Sequence, residues 1–198
     1  GPDFAQAAGL RVPGTLDGFE LAVRAILGQQ ITVKAARTLG QRLLQAFGEA
    51  CTTPWPELNR CFPTPAALLA PGAAERMGQL GVVRQRQQAI QSLAQALCQG
   101  QLHLNPHARL EDTLRALQAL PGIGAWTAQY IAMRALRWRD AWPVQDVALQ
   151  SALGVRDAPR PAQALQARGQ AWQPFRSYAL VAAWQTMHPP PTPIKDPS

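Results

Sequence analysis

Apolar positions along this chain recur at three- and four-residue intervals, and no sustained period-two alternation replaces them. A stripe repeating every ~3.6 residues is what a helix lays against a core, so the pattern predicts helices throughout. The segment LDGFELAVRAILG opens with Asp17 three residues before Glu20, a capping-box-like start, and ends at Gly28. In TVKAARTLGQRLLQAFG, Val33, Ala36, Leu39, Leu43 and Phe47 stand at helical spacing, with Thr32 as the cap and Gly48 past the end. Thr64-Pro65 starts a short helix, proline suiting the first helical position. RQRQQAIQSLAQALCQG is amphipathic and stops at Gly100. LEDTLRALQA, IAMRAL, a segment starting at Asp146, PAQALQARGQAW and QPFRSYALVAAWQTM follow. The fold class is all-α, with about nine or ten helices of modest length.

Two stretches break the pattern. AFGEACTTPWPELNRCFPTP is proline-rich and reads as an irregular loop, and the tail HPPPTPIKDPS, 188–198, reads as disordered. No internal repeat is present.

Between LEDTLRALQA and IAMRAL lies LPGIGAWTAQY, residues 120–130. Two helices joined by Leu-Pro-Gly-Ile-Gly make a helix-hairpin-helix. Gly122 and Gly124 free the backbone for positive φ and for close approach to a ligand. The second helix begins at Gly124 or Ala125, so its unpaired N–H groups and its dipole point at that same place. Such a construction binds an anion, most naturally a DNA phosphate. Leu120 and Ile123 would anchor the hairpin in the core. A plain turn between two helices, with glycine as a helix stop, is the competing reading.

Composition narrows the partner. The 198 residues suffice for one domain or two small lobes, and no apolar run approaches a membrane span. No secretory signal is visible, and Gly1-Pro2 has the form of a cloning scar. Cys51, Cys61 and Cys98 are too few and too scattered for a disulfide framework or a metal knuckle, and read as buried or idle thiols of a cytoplasmic protein. Net charge is +7 with a pI near 10.3, and only Lys34 and Lys195 of the 19 basic residues are lysines. A GC-rich genome accounts for the arginine bias as well as phosphate recognition does. The positive sign still points to a polyanion.

Some twenty residues beyond the hairpin comes RDAWPVQDVALQSALG, where Pro143 precedes Asp146 by three. Hairpin, helix, proline-bearing loop and aspartate at a helix start resemble the helix-hairpin-helix/Gly-Pro-Asp DNA glycosylases. GFELAVRAILGQQIT, LPGIGAWTAQYIAMRAL and WQPFRSYALVAAW together resemble the 3-methyladenine DNA glycosylase II, or AlkA, type from about Leu10 to Trp184. The β-rich N-terminal domain of long members has no counterpart here, so the chain either lacks it or is a fragment.

The resemblance implies a two-lobed helical fold around a cleft, lobe one spanning about 17–132 and lobe two about 1–16 with 133–187. It implies that Asp146 is the catalytic aspartate. An N-cap role is compatible, because the helix dipole favours a carboxylate at that position. Asp140 matches no family position and reads as a surface turn residue. Trp126, Tyr130 and Trp172 match aromatic positions of the pocket for a base swung out of the duplex. Core packing is the alternative for each. Val147 and Ala148 stand where the family has tyrosine and leucine, which implies a wider, less aromatic wall. Gln30 matches the residue that plugs the gap left by the base, with Gln29 as competitor. Leu120, Gly122, Ile123, Gly124 and Thr127 would meet DNA phosphate. The carbonyls of Leu120 and Ile123 would hold a monovalent cation.

Two absences set the expected mechanism. The lysine that forms a Schiff base in bifunctional members is matched by Trp126, and no cysteine follows Cys98 to build an iron–sulfur loop. No metal site or other cofactor is expected. The implied protein is a monofunctional hydrolase of alkylated purines, of the 3-methyladenine and 7-methylguanine type, acting in base excision repair. It would bind damaged double-stranded DNA as a monomer, away from membranes, in the nucleoid-associated bacterial cytoplasm. A glycosylase for deaminated or oxidised bases is the alternative enzyme, and a non-catalytic DNA-binding module the alternative outside enzymes.

Overall fold

The computed structural model describes residues 8–187; the tail 188–198 expected to be disordered lies outside them. The described residues form nine α-helices and two 3-10 turns, with no strand among them. Among the described residues one antiparallel bridge, Ala50 to Arg60, is present. Backbone contacts divide the chain into two units, Gly14–Trp138 and a second whose described residues are 8–13 and 139–187.

In the Gly14–Trp138 unit, α1 (Gly18–Leu27) is the central element. Asp17 caps it by accepting from the Phe19 and Glu20 amides, and Phe19, Ala22, Val23, Ile26 and Leu27 are buried. Seven of its ten residues are buried, with the Glu20–Arg24 ion pair on the remaining face, and the buried face packs against α2 (Val33–Phe47), α4 (Arg84–Cys98) and α6 (Ala125–Ala135). Thr32 caps α2 through the Ala35 amide. The stripe expected on α2 holds only in part: Leu43 is buried, Leu39 and Phe47 are partly so, and Val33 is 67% exposed. The first turn of α2 lies beyond the cover of its neighbours, and an isolated surface valine costs little.

Proline and glycine punctuate the next stretch. Thr64-Pro65 starts a 3-10 turn, Ala66–Leu69, with Pro65 before its first residue and the Thr64 hydroxyl accepting from the Ala67 amide at 3.3 Å. A further helix, α3 (Ala73–Gln79), went unread in the sequence. Its seven residues are too short to display a period, and only Ala73 and Met77, four apart, are buried. The 48–62 loop is irregular apart from its one bridge. Of the cysteines, Cys51 is half-buried while Cys61 and Cys98 are exposed, so of the expected buried or idle thiols, burial does not hold for those two. The α5 helix (Leu110–Ala119) runs into the hairpin and packs against α6.

In the other unit, α7 (Val147–Ala152) packs against α9 (Arg176–Met187) and α8 (Pro161–Gly169). A second 3-10 turn, Gln170–Trp172, follows α8. The start of α9 is fixed to the 139–141 segment: the Ser177 amide donates to Arg139 O, and the buried Ser177 hydroxyl accepts from the Ala141 amide, both at 2.9 Å. Trp142 is buried and donates its indole N–H to Leu165 O at 3.0 Å. Gly169 lies so close beneath that ring that a β-carbon there would overlap it.

Candidate active site

The hairpin is built as its glycines suggest at one position and differently at the other. Gly122 has φ +77°, and a β-carbon on it would lie 3.1 Å from that of Ala89. Gly124 has φ −82° and ψ 177°, an extended conformation open to any residue, with nothing within 4 Å of where its β-carbon would stand. Positive φ is therefore required only at Gly122, and what Gly124 provides is open space. No side chain caps the start of α6 at this point. Ile123 is buried in the core, Leu120 packs partly against it, and the Ile123 amide closes the turn on Leu120 O at 3.2 Å.

The loop between α1 and α2 is tied to this hairpin. The Gln29 side-chain amide donates to Gly122 O at 2.9 Å and to the Thr127 hydroxyl oxygen at 3.0 Å. The Arg86 guanidinium donates to the Gln29 carbonyl. The Gln29 side chain is thus committed to holding two segments together, whereas Gln30 is exposed with φ +55°. Positive φ in a non-glycine residue is uncommon and marks a locally constrained backbone. The Thr127 side chain is buried and turned to Gln29, so any phosphate contact from this residue would come through its main-chain amide.

Along α6, Trp126, Tyr130 and Arg134 follow at four-residue steps and stack. The Trp126 and Tyr130 rings are 5.4 Å apart between centroids and 5° from parallel, and the Arg134 guanidinium carbon lies 5.6 Å from the Tyr130 centroid. Both rings are partly exposed. Tyr130 sits in the middle of the stack, between Trp126 and Arg134.

In the other unit, the Asp146 amide closes a turn on Pro143 O at 2.9 Å, and Asp146 then caps α7. Its carboxylate Oδ1 accepts from the Leu149 amide at 2.6 Å and from the Trp184 indole N–H at 3.4 Å. Asp146 is only 6% exposed. These two donors fix the direction in which the side chain points. Beside it in sequence, Val147 is 52% exposed and Ala148 half-buried.

Trp184 was not read as a site residue, since the aromatic-rich WQPFRSYALVAAW offers several rings and sequence alone cannot choose among them. The ring that was read, Trp172, packs against Trp142 with centroids 5.5 Å apart. Asp140 lies in a turn as expected, but it is partly buried and paired rather than at the surface. Its oxygens take the Arg176 guanidinium in a two-pronged pair, both at 2.7 Å, and Oδ1 also accepts the Arg176 amide at 3.2 Å. Burial pushes its carboxyl up, but the bonds and charge of Arg176, helped by Arg139, outweigh that and hold it below the usual carboxylate range.

A helical hairpin opening one helix and a buried aspartate capping a later one define a class of DNA-repair proteins. The chain belongs to it: the HhH-GPD superfamily base excision DNA repair proteins, whose family model matches residues 23–176. It is 37% identical over 182 residues to the DNA-3-methyladenine glycosylase 2 of Escherichia coli (strain K12), a match spanning 92% of this chain and 62% of that protein. A DNA-3-methyladenine glycosidase structure from Bacillus halodurans superposes with a TM-score of 0.73 at 26% identity, covering 94% of this chain and 83% of that one. A Clostridium acetobutylicum 8-oxoguanine glycosylase/lyase bound to double-stranded DNA superposes at 0.77 with 14% identity, over 93% of this chain and 64% of that one. This last likeness is one of fold alone. No helix among the described residues is long and apolar enough to cross a membrane.

Proposed function

We propose that this chain is a monofunctional DNA glycosylase that hydrolyses the N-glycosidic bond of alkylated purines, of the 3-methyladenine and 7-methylguanine type, in base excision repair. The observation that carries the reading is Asp146, a nearly buried carboxylate with one oxygen fixed by the Leu149 amide and the Trp184 indole. In this reading the base leaves with the bonding electrons, and the carboxylate stabilises the positive charge left on the sugar. Water adds at C1′, and the products are a free base and an abasic site. With Trp126 at the position matched to the lyase lysine, and Lys34 and Lys195 the chain's lysines, no imine step is included.

The base is swung out of the duplex, and Gln30 fills the gap it leaves. Trp126 offers a π-face, which suits purines made cationic by alkylation. Tyr130 supports that ring from behind. Phosphate binds at the amides around Gly122 and Gly124 and the start of α6, supported by the net charge of +7. Leu120 and Ile123 carbonyls suit a monovalent cation there: each carbonyl has two lone pairs, so the turn bond on Leu120 O leaves one available. The protein acts on double-stranded DNA as a monomer, in the bacterial cytoplasm.

Val147 and Ala148, smaller than the tyrosine and leucine of the matching family positions, favour a second reading, a glycosylase for deaminated or oxidised bases. Incubation with duplexes carrying 3-methyladenine, hypoxanthine, uracil or 8-oxoguanine separates the two. Preferential release of the alkylated base upholds the first reading; release of a neutral lesion alone upholds the second. Release of none leaves a non-catalytic DNA-binding module.

A further inference from the structure

The loop that leaves α2 at Gly48 folds back on itself through a ladder only two bonds long. The Cys51 amide donates to Asn59 O and the Cys61 amide to Glu49 O, both at 2.9 Å, flanking the facing pair Ala50 and Arg60. Side chains alternate between the faces of such a ladder. Ala50 and Arg60 share one face, and Cys51 and Cys61, one step beyond on each arm, share the other as diagonal neighbours. Diagonal neighbours have Cα atoms about 7–8 Å apart, and a disulfide spans up to about 7 Å, so joining them takes a shift on the order of 1 Å. So short a ladder, in a loop otherwise without regular structure, can yield that much.

The two thiols also sense each other. Burial, followed by the hydrogen bond and charge of the Cys61 thiol, holds the Cys51 thiol above its ordinary value. Cys51 Sγ additionally faces Leu58 O at 3.9 Å. Cys61 is exposed, and so is the tip between the arms, where Trp55 is 59% and Leu58 57% exposed.

We propose that Cys51 and Cys61 are a redox modification site, forming a reversible disulfide that locks the arms of this loop. The oxidant is a hydroperoxide. The exposed Cys61 thiolate attacks the peroxide oxygen, the O–O bond breaks, and the sulfur becomes a sulfenic acid as water or an alcohol leaves. Cys51 sulfur then displaces the sulfenic oxygen, which departs as water with the thiol proton, and the S–S bond forms. Each link costs the protein two hydrogens, and a dithiol returns them. In a reducing compartment such a bridge is transient, the usual form of redox-sensing pairs. Cys98, at the end of α4, serves as an internal control.

The test treats the full chain with hydrogen peroxide, alkylates remaining thiols, and reads intact mass and peptides. Alkylatable thiols should fall from three to one, with Cys98 the survivor, and a single linked peptide should join Cys51 to Cys61. Dithiothreitol should restore all three. In Cys51→Ser, Cys61 should stop at the sulfenic acid and be trapped by dimedone. Links through Cys98, links between copies, or Cys61 running on to sulfinic acid while Cys51 is present would each overturn the proposal. None of these readouts involves DNA, so they stand or fall separately from the glycosylase reading.

Discussion

The indole N–H of Trp184 reaches the same Asp146 oxygen that accepts the Leu149 amide, at 3.4 and 2.6 Å. One oxygen is therefore fixed from α9 and from the start of its own helix together, which sets the direction of the carboxylate. Trp184→Phe keeps a ring and deletes the donor. A hydrogen bond to a charged group contributes about 1.5–3 kcal/mol, and this one is long, so base release should slow by about tenfold. Affinity for an undamaged duplex should not change. Single-turnover release and a binding titration read the two separately; equal losses in both would assign Trp184 to packing.

Gly122 and Gly124 should part company when each becomes alanine. Gly122→Ala places a β-carbon at positive φ and 3.1 Å from Ala89, so thermal stability should fall by about 1–2 kcal/mol. Gly124→Ala meets neither obstacle, and its melting temperature should match that of the parent. A methyl there still occupies the space proposed for phosphate, so duplex affinity should drop for all sequences alike. A stable Gly124→Ala with unchanged affinity would reduce the hairpin to a turn.

Trp126→Ala should weaken excision of cationic lesions most, by about 1–3 kcal/mol, since stacking and cation–π attraction are both lost. Neutral lesions such as hypoxanthine should lose less. Parallel rates on 7-methylguanine and hypoxanthine duplexes provide the comparison, and equal losses on both would leave Trp126 a packing residue.

Asp140 and Arg176 predict an acid limb of stability. The folded carboxyl lies below its unfolded value, so its stabilisation is fully present above about pH 4 and is lost as pH falls through the lower folded value. Asp140→Asn should lower stability near neutrality by about 1.5–3 kcal/mol. It should also flatten the decline of melting temperature below about pH 4 relative to the parent. Parallel curves would remove Asp140 as the cause.

Helix starts were legible where a side chain makes them: Asp17, Thr32 and Asp146 each cap the helix that the spacing announced. The hairpin was legible because Pro121, Gly122 and Gly124 sit between two strong helical runs. What stayed hidden depends on contacts distant in sequence. Asp140 and Arg176 lie 36 positions apart, and Asp146 and Trp184 lie 38 apart. No local pattern ranks Trp184 over Trp172, because both stand in helical or near-helical segments with similar neighbours. Gln29 could be told from Gln30 only by its bonds to Gly122 and Thr127, more than ninety positions away. The α3 helix was lost for the opposite reason, too few residues to carry a period.

The central claim is that the charge on Asp146 accelerates base release. Asp146→Asn retains a side-chain oxygen able to accept from the Leu149 amide, and asparagine caps helices as well as aspartate does. Folding and duplex binding should therefore persist. Single-turnover release of 7-methylguanine from a defined duplex is the direct measurement. The account predicts a fall on the order of a hundredfold or more, the scale expected when a fixed transition-state charge is deleted. Release at near the parent rate by a folded, DNA-binding Asp146→Asn would contradict it.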